Sequence, residues 1–83
     1  MEEGKIVVYT TTFRGVRSTF EDCKYVLSLF HNLRVLVDER DVYMNSFYYR
    51  ELEERLGERL SVPQVFLSGQ HIGVRILQIS PFR

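Results

Sequence analysis

The chain has 83 residues, of which 45% are hydrophobic, and its 11 Lys and Arg residues balance its 11 Asp and Glu residues. This length allows at most one small domain, so residues 1–83 are treated as a single unit. A net charge of zero provides no basic field for nucleic acid or for an anionic membrane surface, and no apolar run approaches the roughly 20 residues that span a bilayer.

The N-terminus and the single cysteine favour a cytoplasmic protein. Residues 1–5 open with acidic side chains, whereas a secretory signal begins with basic residues and continues with a longer apolar core. One cysteine, Cys23, excludes an internal disulfide framework. We therefore expect the cytoplasm as the default location.

The first half of the chain predicts a strand, a helix and a second strand. Residues 6–9 form a continuous apolar run, typical of a strand buried on both faces of a sheet. Ser18 is a good N-cap with Glu21 three residues later, so a helix is expected to begin there and to stop near Asn32. Alternating valines predict the second strand over residues 34–38. The apolar face of the helix would carry Phe20, Cys23, Val26, Leu27, Phe30 and Leu33.

A second helix is expected after a polar loop. Asn45 or Ser46 can cap it, and it would run to Leu56, with Gly57 as the residue that ends it. The spacing predicts that Tyr48, Leu52 and Leu56 face the core.

Residues 61–73 predict a hairpin led by Pro63, since proline is tolerated at the first residue of a strand. Ser68 and Gly69 provide the turn, because glycine can adopt a positive φ, and His71 and Ile72 form the returning strand. The order strand, helix, strand, helix, strand, strand is the core of an α/β thioredoxin-like fold, in which the first half is a right-handed βαβ unit.

The sequence resembles a glutaredoxin domain from Lys5 to Gly73. The resemblance rests on residues 5–10 as the first strand, on the helix that contains Cys23, and on residues 66–73 as the strand and turn before the family's Gly-Gly pair. Ser61-Val62-Pro63 is similar to the family's Thr-Val-Pro, whose proline is cis.

One subgroup is more similar still. Residues 9–11, 14–17, 19–23 and 38–42 resemble the glutaredoxin domain-containing cysteine-rich proteins. In animals these proteins are linked to actin-based sensory hair bundles, and the glutaredoxin module is the central piece of a longer chain.

Glutaredoxins carry a Cys-Pro-Tyr-Cys motif, which the resemblance aligns with residues 20–23. Phe20 then replaces the nucleophile and Cys23 the resolving cysteine. A thiolate is stabilised by the first turn of a helix, whereas Cys23 would be the fifth helical residue after Ser18. Its apolar neighbours and the nearby Glu21 and Asp22 predict burial and a raised pKa. Cys23 is therefore either a core cysteine or the catalytic residue.

The resemblance also implies a glutathione site at Ser61, Val62, Pro63 and Gly73. Val62 would present its backbone to the cysteinyl part of the ligand, as an added strand. Only Gly73 remains of the glycine pair, because Val74 replaces the second glycine. Glutathione is thus a possible cofactor. No metal is expected, because the cysteine that binds an iron–sulfur cluster in the family is missing.

The last ten residues do not resemble the family's final helix. Residues 74–83 are too few for a full helix, and Pro81 would end one. We therefore expect the final helix to be missing or degenerate, as in a truncated or alternatively spliced form.

Isolated charged side chains receive ordinary roles. His31 and His71 are expected to be structural or exposed. Arg14 and Arg17 are expected to be solvated loop charges, although either could contact a carboxylate or a phosphate.

Three functions remain open. The first is a glutathione- or peptide-binding module with weak or no redox activity. The second is a glutathione-dependent thiol–disulfide oxidoreductase that removes glutathione from proteins through Cys23. The third is a structural module like the hair-bundle relatives. The expected partners are glutathione, a glutathionylated protein or another protein, with no nucleic acid and no membrane.

Overall fold

The structure is a computed structural model that describes residues 3–57 and 60–72. The element order and the fold class confirm the α/β thioredoxin-like prediction. Within the described ranges, no helix combines the length and the apolarity needed to cross a membrane. The elements in chain order are β1 (Ile6–Thr10), α1 (Arg17–Asn32), β2 (Asp38–Asp41), α2 (Ser46–Leu56), β3 (Gln64–Leu67) and β4 (Gln70–His71).

The four strands form one mixed sheet in the order β2-β1-β3-β4. β1 runs parallel to β2 and antiparallel to β3, and β3 pairs with β4 as a hairpin. β1 therefore lies inside the sheet. Its residues Val7, Val8 and Tyr9 are completely buried, as the continuous apolar run predicts.

The sheet separates two apolar clusters because successive strand residues point to opposite faces. Val7 and Tyr9 pack with Leu52 of α2 on one face. Val8 packs with Val26 of α1 on the other face. The two helices thus cover opposite faces of the sheet, which leaves the loops at the carboxyl ends of β1 and β2 accessible at one edge.

The predicted start of α1 at Ser18 is wrong. Val16 is the N-cap residue, its side chain makes no capping hydrogen bond, and the helix begins at Arg17. The carbonyl oxygen of Val16 accepts the first helical bond from the amide of Phe20 at 3.1 Å. Packing of the apolar face, rather than a capping side chain, sets this helix start. The capping box that Ser18 and Glu21 would have formed is therefore not used.

The predicted end of α1 is confirmed at Asn32, but Leu33 does not face the core. Leu33 is the C-cap residue and is 69% exposed. The next residue, Arg34, has a φ of 58°. A residue in this left-handed conformation ends a helix and turns the chain, so the side chain of Leu33 is directed away from the apolar face of α1.

The second strand was placed too early by the sequence pattern. β2 covers Asp38–Asp41 rather than residues 34–38, and Leu36 is 95% exposed. Its register is fixed by β1, because Val7 pairs with Asp38 and Thr10 pairs with Asp41. A polar strand is stable here because its side chains have partners, as described below for Arg40.

The second helix begins and ends as predicted. The side-chain oxygen of Asn45 accepts hydrogen bonds from the amides of Phe47 at 2.9 Å and Tyr48 at 3.3 Å. Gly57 ends the helix in the left-handed conformation, with a φ of 66°. Leu52 is buried, while Tyr48 and Leu56 pack against the same cluster.

The hairpin is also confirmed. Ser68 and Gly69 form its turn and both have positive φ values, 52° and 81°. β4 is shorter than expected, because Ile72 lies beyond Gln70–His71. The peptide bond between Val62 and Pro63 is cis, as the resemblance implies.

We predict that Asn45→Ala lowers the free energy of unfolding by about 1 kcal/mol, because two amides of the first turn of α2 lose their acceptor. Urea unfolding followed by circular dichroism measures this loss. Asn45→Asp retains the acceptor and is the matched control. Equal stability of the alanine and aspartate variants would show that the cap contributes nothing.

Candidate functional site

A cavity of about 300 Å³ lies where β1 ends, α1 begins and the chain approaches β3. The β1–α1 loop contributes Thr11, Phe13 and Val16 to its wall. The opposite wall comes from the segment that follows β2 and from α2, through Val42, Tyr43 and Tyr49. The floor near β3 is formed by Leu60 and Val62. The cavity therefore joins the start of a helix to the residue that precedes the cis-proline.

Phe13 closes one side of this cavity by packing on Tyr43 and on Gly15. The ring centroids of Phe13 and Tyr43 are 5.1 Å apart. A Cβ atom at Gly15 would lie 2.1 Å from the Cζ atom of Phe13. The missing side chain at Gly15 thus provides the space that the Phe13 ring occupies.

Two carboxylates fix the loops around the cavity. Asp41 accepts hydrogen bonds from the Tyr43 amide at 2.9 Å and from the Thr12 hydroxyl at 2.7 Å. Glu39 accepts one from the Thr10 hydroxyl at 3.1 Å. Both acids belong to β2, so the parallel pairing of β1 with β2 brings negative charge to this edge of the sheet.

Residues 13–16 lie directly before α1, so residues 20–23, which the resemblance aligns with the Cys-Pro-Tyr-Cys motif, lie inside the helix. Phe20 is the fourth residue of the helix, and Cys23 is the seventh rather than the fifth. The amide of Phe20 already bonds to the Val16 carbonyl. Gly15 is a poor helix former, and it lies two residues before the first residue of α1, Arg17.

Cys23 is buried, as predicted, with 2% of its surface exposed. Burial raises the pKa of its thiol to about 11, and the charges of Asp22, Asp41 and Glu39 act in the same direction. A hydrogen bond from the Thr11 backbone lowers the pKa but does not compensate. The predicted raised pKa is thus confirmed, while a catalytic role for Cys23 stays a prediction.

Ser61 is connected to the hairpin through Gln64, a residue that the sequence reasoning missed. The side-chain Nε2 of Gln64 donates to the Ser61 hydroxyl at 2.9 Å, and the side-chain Oε1 of Gln64 lies 2.8 Å from Nε2 of His71. The His71 ring stacks on Phe66, with the centroids 4.8 Å apart. The signal available in the sequence was a polar residue beside the apolar run 65–67, because a glutamine that is buried there needs hydrogen-bond partners. His71 is therefore held in a structural network.

The remaining predicted residues take ordinary positions. The guanidinium of Arg14 lies 5.2 Å from the centroid of the Phe20 ring, in a cation–π contact. No group of His, Cys, Asp and Glu side chains among residues 3–57 and 60–72 could hold a metal ion. Gly73, Val74 and the predicted loss of the final helix lie outside the described residues.

Comparison with known proteins agrees with this fold. The Glutaredoxin family model matches residues 6–72. The chain belongs to the glutaredoxin family.

Its relatives include longer proteins that contain such a domain. The chain is 41% identical over 76 residues to glutaredoxin domain-containing cysteine-rich protein 1 of Homo sapiens, which covers 88% of this chain and 26% of that protein. It is 39% identical over 71 residues to glutaredoxin domain-containing cysteine-rich protein CG31559 of Drosophila melanogaster, and the match covers 84% of this chain and 16% of that protein. It is also 39% identical over 75 residues to the uncharacterized protein At3g28850 of Arabidopsis thaliana, and the match covers 83% of this chain and 18% of that protein. The chain thus spans about a quarter or less of the length of these relatives.

We predict that Cys23 reacts slowly with iodoacetamide in the folded protein at neutral pH, because the thiolate is the reacting form. Raising the pKa from 9.0 to about 11 reduces the thiolate fraction roughly a hundredfold. Alkylation followed by mass spectrometry, with and without urea, measures the ratio of the alkylation rates of Cys23 in the unfolded and the folded chain. Equal rates in both conditions would instead identify Cys23 as reactive and favour the oxidoreductase alternative.

The raised pKa of Cys23 also makes the free energy of unfolding depend on pH in the alkaline range. The pKa of Cys23 is higher in the folded than in the unfolded chain, so its contribution to stability is complete below pH 9.0 and is lost as the pH rises to about 11. Urea unfolding across this range should show a smaller loss for Cys23→Ala than for the wild type. An unchanged pH dependence in the variant would contradict the assignment.

We predict that Gly15→Ala displaces the Phe13 ring from Tyr43, because the new Cβ would occupy the position of the ring. Tyr43 ring protons should lose the shift that the neighbouring Phe13 ring produces, as measured by NMR. The control is Phe13→Ala, in which the same shift is lost without any change at Gly15. Retention of the Tyr43 shift in Gly15→Ala would show that the ring is not held there.

Proposed function

We propose that this domain is a cytoplasmic binding module for glutathione or for an extended peptide, with weak or no redox activity. One observation carries the proposal. Val62, which precedes the cis-proline Pro63, lines a cavity of about 300 Å³ beside the start of α1, whereas the single cysteine is buried inside that helix. Binding and thiol chemistry are therefore associated with different places in the domain.

The position of Val62 supports recognition through the main chain. The ladder between β1 and β3 begins at the pair Tyr9–Gln64, two residues after Val62. A ligand that aligns with residue 62 would pair with the backbone directly before β3, beyond the end of its ladder with β1, in the manner of β-augmentation, in which backbone groups recognise backbone groups. Such recognition needs no particular side chain at position 62, and the family's glutathione is itself a short peptide.

The environment of the thiol supports weak or absent redox activity. A reactive cysteine needs exposure and a positive environment, while Cys23 is buried near three acidic residues that raise its pKa. None of the described residues that line the cavity is a cysteine. Substrate disulfides entering the cavity would therefore meet Phe13 and Val16 rather than a thiolate.

Backbone recognition predicts that removal of the Val62 amide proton abolishes binding. An 83-residue chain made by peptide ligation can carry an ester in place of the amide between residues 61 and 62. Titration with glutathione and with short capped peptides, followed by NMR, should shift Thr11, Val16 and Val62 in the unmodified chain at millimolar ligand. These shifts should disappear in the ester.

The matched control is Val62→Ala, which shortens the side chain and keeps the amide. Binding to this variant should remain within about threefold of the wild type, since the main chain is unchanged. If neither glutathione nor any peptide shifts these resonances, the binding function is refuted. Binding that survives in the ester would refute the role of the Val62 backbone.

A further inference from the structure

We propose that Gln64 and His71 are positioning residues for the ligand-presenting backbone at Val62. They act through side-chain hydrogen bonds that end at Ser61, the residue before Val62. The inference deepens the proposed function and rests on it for its consequence, which is the affinity of the site. It is independent of whether glutathione or a longer peptide binds there.

Gln64 is a buried polar residue whose side chain links two segments. It is the first residue of β3 and pairs with Tyr9 of β1, so its backbone has a fixed place in the sheet. Only 9% of its surface is exposed. Its Nε2 donates to the Ser61 hydroxyl at 2.9 Å, and its Oε1 lies 2.8 Å from Nε2 of His71. Both ends of the buried amide group therefore have a partner, as a buried polar group requires.

These two bonds have a direction. Because Nε2 of Gln64 donates to Ser61, the atom that faces His71 is the amide oxygen, which only accepts. Nε2 of His71 therefore carries a hydrogen. Donation runs from His71 to Gln64 and from Gln64 to Ser61, and we call this series of bonds the Gln64 network.

The hairpin holds the His71 end of the Gln64 network. His71 lies in β4 and is opposite Phe66 of β3 in the ladder. Its ring stacks on the Phe66 ring, with the centroids 4.8 Å apart and the planes at 30°. Phe66 is itself buried. The imidazole is thus fixed by a core residue, although His71 is exposed, and it can hold the Gln64 amide group in one orientation.

The Ser61 end of the Gln64 network restrains the amide of Val62. The Ser61 hydroxyl is attached to the Cβ atom of that residue, and the planar peptide group that follows its Cα atom contains the Val62 amide. A bond that ties the Ser61 side chain to β3 therefore limits the directions in which this amide can point. Val62 lines the cavity, and a preorganised backbone loses less conformational entropy when a ligand binds.

Backbone mobility tests the inference before any ligand is added. Gln64→Met keeps a side chain of similar length and removes both hydrogen bonds. Amide relaxation of the full chain, measured by NMR, should show the order parameter of the Val62 amide falling from about 0.85 toward about 0.6. Gln70→Met is the matched control, because Gln70 is an exposed residue of β4 outside the Gln64 network. The Val62 amide should be as rigid in this control as in the wild type.

Ser61→Ala tests whether the effect passes through Ser61. This residue is exposed, so its loss leaves the core intact. The variant should lower the order parameter of the Val62 amide as much as Gln64→Met does. The double variant should show no further fall, because both changes interrupt the same series of bonds. Additive effects would show that Gln64 does not act through Ser61 and would overturn the inference.

Affinity measures the consequence for binding. NMR titration with glutathione and with capped trialanine should give dissociation constants at least about threefold weaker for Gln64→Met than for Gln70→Met. Urea unfolding checks that both variants are folded under the conditions of the titration. If the Val62 amide becomes mobile and both probes still bind the two variants equally, positioning does not affect binding and the inference is wrong.

The outcomes separate this inference from the proposed function. A Val62 amide that stays rigid in Gln64→Met would overturn the inference even where both probes bind the wild type. A neutral His71 without a hydrogen on Nε2, as identified by long-range proton–nitrogen NMR spectra, would also overturn it. If neither probe binds the wild type, the proposed function fails, and the inference fails with it whatever the relaxation data show.

Discussion

The side chain of Tyr9 connects β1 with α2, β2 and β3, and the positions of these elements depend on it. It is completely buried in β1. Its hydroxyl donates to Glu51 of α2 and accepts from Arg40 of β2 at 3.3 Å, and Arg40 also bonds to Glu51. Its ring meets Phe66 of β3 edge-on, with centroids 5.5 Å apart. Burial and the bond to Glu51 raise the Tyr9 pKa to about 12, so the hydroxyl stays a donor.

This network positions the cavity without contributing to its wall. Arg40 holds β2 beside β1, and two residues of β2 that flank it, Glu39 and Asp41, bond to the chain that leaves β1. The amide of Val42 bonds to the Thr10 carbonyl at 3.0 Å and continues the parallel register to the cavity. Open α/β sheets bind ligands at the carboxyl ends of their parallel strands. In this domain the polar contacts among β1, β2 and α2 therefore determine where the apolar cavity forms.

Local signals in the sequence were sufficient where a local interaction decides the structure. The cap at Asn45, the stop at Gly57 and the hairpin turn at Ser68 follow from residues close in sequence. They were insufficient where a distant partner decides. β2 is polar and is selected by its register with β1 and by the bond between Arg40 and Glu51. A strand of this kind has no hydrophobic alternation to reveal it.

The site was accessible from the sequence only through its backbone. Val62 and Pro63 were identified by resemblance, whereas the cavity wall combines Phe13, Val16 and Tyr43 from segments that only the fold brings together. Main-chain recognition depends on strand geometry, and thiol chemistry depends on a cysteine at a helix start. These requirements are met by different residues, so one can be lost while the other remains. Membership of the family therefore accounts for the strand geometry next to Pro63, whereas under the proposed function the side chains at the helix entry decide which ligand binds there.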